Sequence, residues 1–320
     1  MREVLRTTNL VRLSWLQALF TESRIETVVL DGHTSVLEGS IGAIPRRLMV
    51  SDEDYDHAMQ LLRDAGEPNG AAASKPLDSL LGGRIALRQP GSGYRVAIDA
   101  VLLAAAAPPT VGAVLDVGCG VGAAALCYAA RVSGARVTGL ELRADWARLA
   151  QKNARMNGMA GRVGIVCGDL LQPPAALLPG GFDEVMANPP YLPLDRADMR
   201  HPPEGAPATV EGAAKLADWI AFCLAMAGPK GGVTLIQRAD RLDEILLHLH
   251  GMAGAVTVFP LWPRAPGEAG GADARRVIVQ ARKGSKAPMR LAAGLVLHRE
   301  GGAYSEAAER VLRNGAPLVL

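Results

Sequence analysis

The sequence predicts an α/β protein: a doubly wound, mostly parallel sheet with an antiparallel C-terminal addition, preceded by a small α+β domain. Three observations carry that expectation. Beyond residue 84, short apolar strands alternate with helical patterns, and such alternation builds a parallel sheet covered on both faces. One strand, "VLDVGCGVG" (114–122), runs into a glycine-rich turn before a helix. Another, "FDEVMANPPYLP" (182–193), stops at two successive prolines, which cannot donate to a sheet ladder.

The elements follow in order. Residues 2–7 read as a strand, 8–22 as an amphipathic helix and 25–30 as a strand, with further short strands at "TSVLEG" (34–39) and "RRLMV" (46–50). A helix is expected in "SDEDYDHAMQLLRDAG" (51–66). Ser51 is its N-cap, acids fill its first turn and Gly66 follows its end. Residues 1–68 thus make a small α+β domain. Residues 69–79 fall in a polar stretch rich in Gly, Ala and Pro and read as a linker. Residues 80–320 form the larger domain.

Within it, "GRIALRQPGSGYRV" (83–96) predicts two short strands around a Gly-rich turn, and "DAVLLAAAA" (99–107) a short helix that Asp99 caps. Strand–helix units follow: 112–118 with 123–132, 135–142 with 145–158, then strands at 162–169 and 183–190. A helix at 214–228, a strand at 231–237 and a helix at 240–250 complete the alternation. Strands near 255–261, 275–283 and 294–300 close the chain as the antiparallel addition.

Composition narrows the functional classes. Of 320 residues, 49% are apolar and 21% charged, as in folded soluble proteins, while aromatics are scarce at 4%. The net charge of +2 is unevenly spread: residues 1–68 hold 7 Lys and Arg against 11 Asp and Glu. The excess positive charge therefore belongs to the larger domain. Cys119, Cys127, Cys167 and Cys223 form no C-x-x-C pair, so they read as reduced thiols and not as a disulfide framework or zinc site. The N-terminus has no uninterrupted apolar core for a signal peptide. The most apolar stretch is broken by Asp99 and Pro108-Pro109, too soon to span a membrane. A cytoplasmic protein with no metal is expected.

Candidate site residues fall at the strand ends, where open α/β sheets bind ligands. After Asp116, glycines at 118, 120 and 122 let a ligand approach the backbone beside a helix N-terminus. That spacing is not the G-x-G-x-x-G of dinucleotide binding, and no hydride-handling residue is visible, which disfavours a nicotinamide oxidoreductase. Glu141 ends the next strand, where an acid can accept both hydroxyls of a ribose; a solvated acid opening a helix would look the same. Asp169 ends the third, placed to accept from an adenine amino group or to cap a turn. Cys119 has no neighbouring base and reads as space-filling. Trp15, Trp146 and Trp219 sit on helical faces and read as packing.

The stretch Asn188-Pro189-Pro190-Tyr191 is a rigid loop. It presents an amide, two carbonyls free of neighbouring N–H groups, and an aromatic ring.

Together these stretches resemble class I S-adenosylmethionine-dependent methyltransferases with a Rossmann-like sheet and an NPPY motif. The resemblance implies S-adenosylmethionine as cofactor, held by Asp116, Gly118, Cys119, Gly120, Gly122, Glu141, Leu142, Asp169, Leu170 and Asn188. It makes Asn188, Pro189, Pro190 and Tyr191 the catalytic loop. Enzymes with this motif methylate planar amino nitrogens, whose lone pair is delocalised. The Asn188 oxygen and the Pro189 carbonyl would accept the nitrogen's two hydrogens, fixed dipoles aimed at developing charge. Tyr191 would stack on the acceptor. The sulfonium is already activated, so the chemistry calls for neither a metal nor a strong base.

Residues 80–320 most resemble bacterial adenine-N6 methyltransferases acting on valine tRNA, through "GYRVAIDAVLLA", "LDVGCGVGAAAL", "ANPPYL", "IQRADRLDEIL" and "RRVIVQARKGSKAP". The glutamine N5-methyltransferases of release factors share the NPPY motif and stand as the alternative, as does a non-catalytic cofactor-binding regulator. An RNA partner, most simply tRNA, is expected to meet Arg275, Arg276, Arg282 and Lys283, near both ends of a late strand; a solvated edge strand also favours such residues. Residues 1–68 resemble a small bacterial domain family described as signal-transducing, with an unknown partner or effector.

Overall fold

The computed structural model describes residues 1–7, 10–30, 46–65, 77–90, 96–191, 211–266 and 273–320. The strand expected at 34–39, most of the linker and the turn at 91–95 lie outside them. The chain divides into two compact units, Met1–Pro76 and Leu77–Leu320.

The first unit carries a three-stranded antiparallel sheet, β1 (Arg2–Thr7), β3 (Arg46–Val50) and β2 (Val28–Leu30), in that spatial order. Helices α1 (Leu10–Glu22) and α2 (Tyr55–Asp64) belong to the same unit, and Leu16, Phe20, Leu48 and Leu62 are buried at its centre. The strand expected from residue 25 begins only at Val28. Ile25 instead closes the turn after α1, its amide donating to the Phe20 carbonyl at 2.8 Å. Ser51 caps as expected, its hydroxyl oxygen accepting from the Asp54 amide at 3.0 Å. Trp15 does not pack: it is 47% exposed.

The second unit opens with a hairpin of β4 (Asp78–Leu80) and β5 (Ile85–Leu87). Among the described residues the partner of β5 is upstream; the strand expected across the Gly-rich turn falls largely outside them. Helix α3 (Ile98–Ala106) follows, then β6 (Ala113–Val117), α4 (Ala123–Arg131), β7 (Arg136–Glu141) and α5 (Ala144–Met156). Next come β8 (Val163–Cys167), β9 (Phe182–Ala187), α6 (Leu216–Met226), β10 (Ala227–Arg238) and α7 (Leu242–Leu249). Strands β11 (Ala253–Trp262), β12 (Arg276–Lys283), β13 (Arg290–Leu291), β14 (Leu295–Val296) and helix α8 (Glu306–Leu312) end the chain.

One nine-stranded sheet organises this unit. Strands β8, β7, β6, β9 and β10 run parallel in that order, and β12 and β11 extend the sheet antiparallel. Alternate residues feed two cores. Val114, Met186 and Ile236 face one core with α3 and α4. Leu115, Val185 and Leu235 face the other with α6 and α7. Burial on both faces is why these strands read as continuous apolar runs.

The chain order reverses between β6 and β9, which pair with Val117 opposite Ala187. This is the topological switch point, where an open sheet leaves a crevice beyond its carboxyl ends. The glycine turn follows Val117, and the Asn188 loop follows Ala187.

Candidate active site

A cavity of about 350 Å³ occupies that crevice, within the range of small-molecule sites. All but one of the residues expected to hold the cofactor or form the catalytic loop line it: Asp116, Gly118, Cys119, Gly120, Glu141, Leu142, Asp169, Leu170 and Asn188 to Tyr191. Gly122 is the single exception. It sits one turn away as the left-handed N-cap of α4 and packs against Ala150.

The glycine turn is shaped by both conformation and crowding. Gly118 has φ +66°, and a Cβ there would meet the Trp219 ring at 2.4 Å. No other residue type satisfies both. The turn is tied down by long-range bonds. The Cys119 amide donates to the Leu140 carbonyl at 2.9 Å, and the Asn153 side chain, fully buried on α5, donates to the Val121 carbonyl at 2.9 Å. Cys119 fills the space above Gly139. Burial, reinforced by Asp116 and Glu141, pushes its thiol well up, so it is packing and no nucleophile.

Two buried acids hold the turn through backbone amides. Asp116 Oδ2 accepts from the Ala125 amide at 3.0 Å. Glu141 Oε2 accepts from the Gly120 amide and Oε1 from the Arg143 amide, both at 2.8 Å. Burial, only partly offset by the Ala125 amide and reinforced by Glu141, pushes the Asp116 carboxyl up to about 7. Burial also raises Glu141, against the pull of its two amides. Paired acids held in this way favour a cationic ligand, which restores their charged forms. Each Glu141 oxygen keeps a second lone pair for a ligand hydroxyl. Asp169 makes the turn cap that was the alternative for it, accepting from the Leu171 amide at 2.9 Å, and still lines the cavity.

The proline carbonyls differ from expectation. Gln237, fully buried on β10, donates Nε2 to the Pro190 carbonyl at 3.1 Å and to the Pro189 carbonyl at 3.4 Å. They are braced from below, each with one lone pair left. Asn188 Oδ1 is shut off from solvent with no hydrogen-bond partner among the described residues. A buried acceptor left unpaired costs about 1–3 kcal/mol.

Several participants escaped sequence reasoning. Trp146 and Trp219, read as packing, line the cavity; an indole every few turns on an amphipathic helix gives no local sign of which face meets a ligand. Asp99 does not cap α3. Its carboxylate accepts from the Tyr191 hydroxyl and from Arg276 Nε. Glu211 and Arg241 form a buried ion pair at 2.6 Å, and Glu211 also accepts from the Leu216 amide at 3.2 Å, next to the cavity wall at Gly212–Ala214.

The four basic residues expected to meet RNA separate. Arg275 is exposed and Arg276 partly buried at the cavity end of β12. Because β12 lies between β11 and β10 and runs antiparallel to β10, Arg282 and Lys283 lie at the opposite end of the strand, roughly 20 Å away. There Arg282 donates to the Lys230 carbonyl and Lys283 to the Ala227 carbonyl.

Comparison with known proteins gives a consistent picture. Residues 114–200 match a family model described as "Methyltransferase domain", and residues 1–66 one described as "Putative prokaryotic signal transducing protein". Two Porphyromonas gingivalis strains supply relatives named tRNA1(Val) (adenine(37)-N6)-methyltransferase. One is 33% identical over 50% of this chain and 65% of its own length, the other 32% identical over 54% and 70%. The release factor glutamine methyltransferase of Chlorobaculum tepidum is 42% identical, over 25% of this chain and 28% of its own. Among solved structures, a predicted O-methyltransferase from Agrobacterium tumefaciens superimposes with a TM-score of 0.56 at 27% identity, over 69% of this chain and 98% of that one.

Proposed function

The chain belongs to the S-adenosylmethionine-dependent methyltransferases, and from that premise we propose that it methylates the exocyclic N6 amine of an adenine in tRNA. S-adenosylmethionine is the methyl donor, and when bound it supplies an electrophilic methyl group on a cationic sulfur. The raised carboxyls of Asp116 and Glu141 fit a ligand carrying positive charge. The close approach at Gly118 is made by the Trp219 ring, which together with the turn lines the cavity this reading gives to the cofactor. In this reading Asp116 and the glycine turn hold the methionine part, Glu141 the ribose, and Asp169 with Leu170 the adenine of the cofactor.

One observation carries the reaction: the buried Asn188 Oδ1, unpaired among the described residues, on the same short loop as the Pro189 carbonyl. Two fixed acceptors on one rigid loop suit a nitrogen that carries two hydrogens and gains positive charge as it is methylated. Taking up both N–H bonds turns the nitrogen lone pair out of conjugation and toward the methyl group. Gln237 holds the loop in place through the proline carbonyls. Tyr191 offers a stacking surface worth about 1–3 kcal/mol for a base. Arg275, exposed at the cavity end of β12, is placed to meet a phosphate.

The same loop would also hold a glutamine amide, and local identity to release factor glutamine methyltransferases favours that second reading. The match to adenine methyltransferases extends over more of both chains, which supports the first. Mass spectrometry of tRNA nucleosides from cells with and without the gene tests it. Loss of N6-methyladenosine is expected. Unchanged tRNA, with methyl transfer to a release factor in vitro, hands the reaction to the glutamine reading.

A further inference from the structure

Tyr191 ends the catalytic loop, and two described residues remote in sequence engage it. The Tyr191 hydroxyl donates to Asp99 Oδ2 at 2.5 Å. Asp99 lies in the first turn of α3 and is 1% exposed. The same carboxylate oxygen accepts from Arg276 Nε at 2.7 Å, across 177 residues of sequence. The Arg276 guanidinium carbon also lies over the Tyr191 ring, 5.3 Å from its centroid. The hydroxyl and one ring face are therefore both engaged by the protein, while the residue still lines the cavity.

A phenol hydroxyl alone leaves a tyrosine ring free to turn about the bond joining it to Cβ. A guanidinium over one face removes that freedom, and the buried carboxylate holds guanidinium and hydroxyl in one arrangement. Arg276 neutralises Asp99, which would otherwise be a buried charge without a partner. The Nε donor and one face of the Arg276 guanidinium are thus committed within the protein.

We propose that Asp99 and Arg276 are positioning residues: they fix the orientation of the Tyr191 ring at the end of the catalytic loop, and through it the placing of the planar acceptor. The role rests on the methyl-transfer reading of the Asn188 loop. It also removes Arg276 from the residues that contact RNA and leaves Arg275 beside it for that task.

The test uses the full chain with Tyr191→Phe, Asp99→Asn and Arg276→Gln, each checked for a cooperative melt and for S-adenosylmethionine affinity within about threefold of wild type. With ¹³C-tyrosine labelling the five tyrosines give few signals, and Tyr191→Phe identifies the one of interest. That signal should move in Asp99→Asn and Arg276→Gln. Single-turnover transfer to an unmodified valine tRNA transcript should fall about 10- to 100-fold, as a displaced reacting group costs, with KM changed less than about threefold. The salt dependence of tRNA affinity should stay that of wild type in Arg276→Gln. A wild-type rate in Asp99→Asn, or a salt slope flattened by about 0.7 in Arg276→Gln, overturns the proposal. A wild-type protein inert on tRNA overturns the substrate reading instead. The same rate ratios are then read on a release factor, and a Tyr191 signal indifferent to Asp99→Asn sinks the clamp whatever the substrate.

Discussion

Glu141 Oε2 accepts the amide hydrogen of Gly120 at 2.8 Å, fastening the end of β7 to the glycine turn that follows β6. The acid that is expected to hold the ribose thus also sets the shape of the turn under the rest of the cofactor. Replacing it removes a ligand contact and a brace together.

Glu141→Ala is accordingly expected to weaken S-adenosylmethionine binding by about 10- to 100-fold, the equivalent of about 1.5–3 kcal/mol for bonds to a charged acceptor. Titration calorimetry of both proteins measures it. Equal affinities, or saturable binding of NAD by the wild type, would contradict the assignment.

Asn188→Ala separates binding from chemistry. Cofactor affinity should stay within a few-fold, while single-turnover methyl transfer slows about 100- to 1000-fold, as when one preorganised polar partner is lost. The Asn188 oxygen has no partner to lose among the described residues, so the melting temperature should not fall. An unchanged rate would remove Asn188 from the mechanism.

Glu184 provides a test of pH dependence away from the site. Burial, opposed by the Thr234 hydroxyl and the Arg282 charge, pushes its carboxyl up to about 7 from an ordinary 4.5. The folded state therefore holds a proton that the unfolded state releases between those values, and this group costs stability as pH rises through that window. Above it the cost is about 3 kcal/mol. Glu184→Gln, which keeps an oxygen to accept from Thr234, should be more stable than wild type at pH 8. Its advantage should shrink as pH falls to 5. Urea unfolding at the two values decides, and a gain that grows toward pH 5 would show the opposite shift.

Residues 77–320 enclose both large cores and the whole cavity. The isolated segment should unfold in one cooperative transition and bind S-adenosylmethionine as the full chain does. Insolubility, or a tenfold loss of affinity, would mean that residues 1–76 contribute to the site.

Much of this protein was legible in one dimension because the signals are local. Alternating apolar strands and helices announce a parallel sheet, since burial on both faces leaves a continuous run such as Val114–Val117. Gly118 and Gly120 are legible because a left-handed turn needs them, and Asn188-Pro189-Pro190-Tyr191 because two prolines forbid a continuing strand. Some residues read through a single local role have a further one that the sequence does not show. Asp99 near a helix start looks like a cap, Arg276 at a strand end looks like a contact for RNA, and Trp219 on a helix looks like packing. Their actual partners, Tyr191 for the first two and Gly118 for the third, are chosen by the strand order and by the helix packed over it. Backbone periodicity is a property of neighbours in sequence, and the chain alone determined it. Which side chains meet at the switch point between β6 and β9 depends on elements 90 to 180 residues apart being brought to one edge, and only the folded sheet decided that.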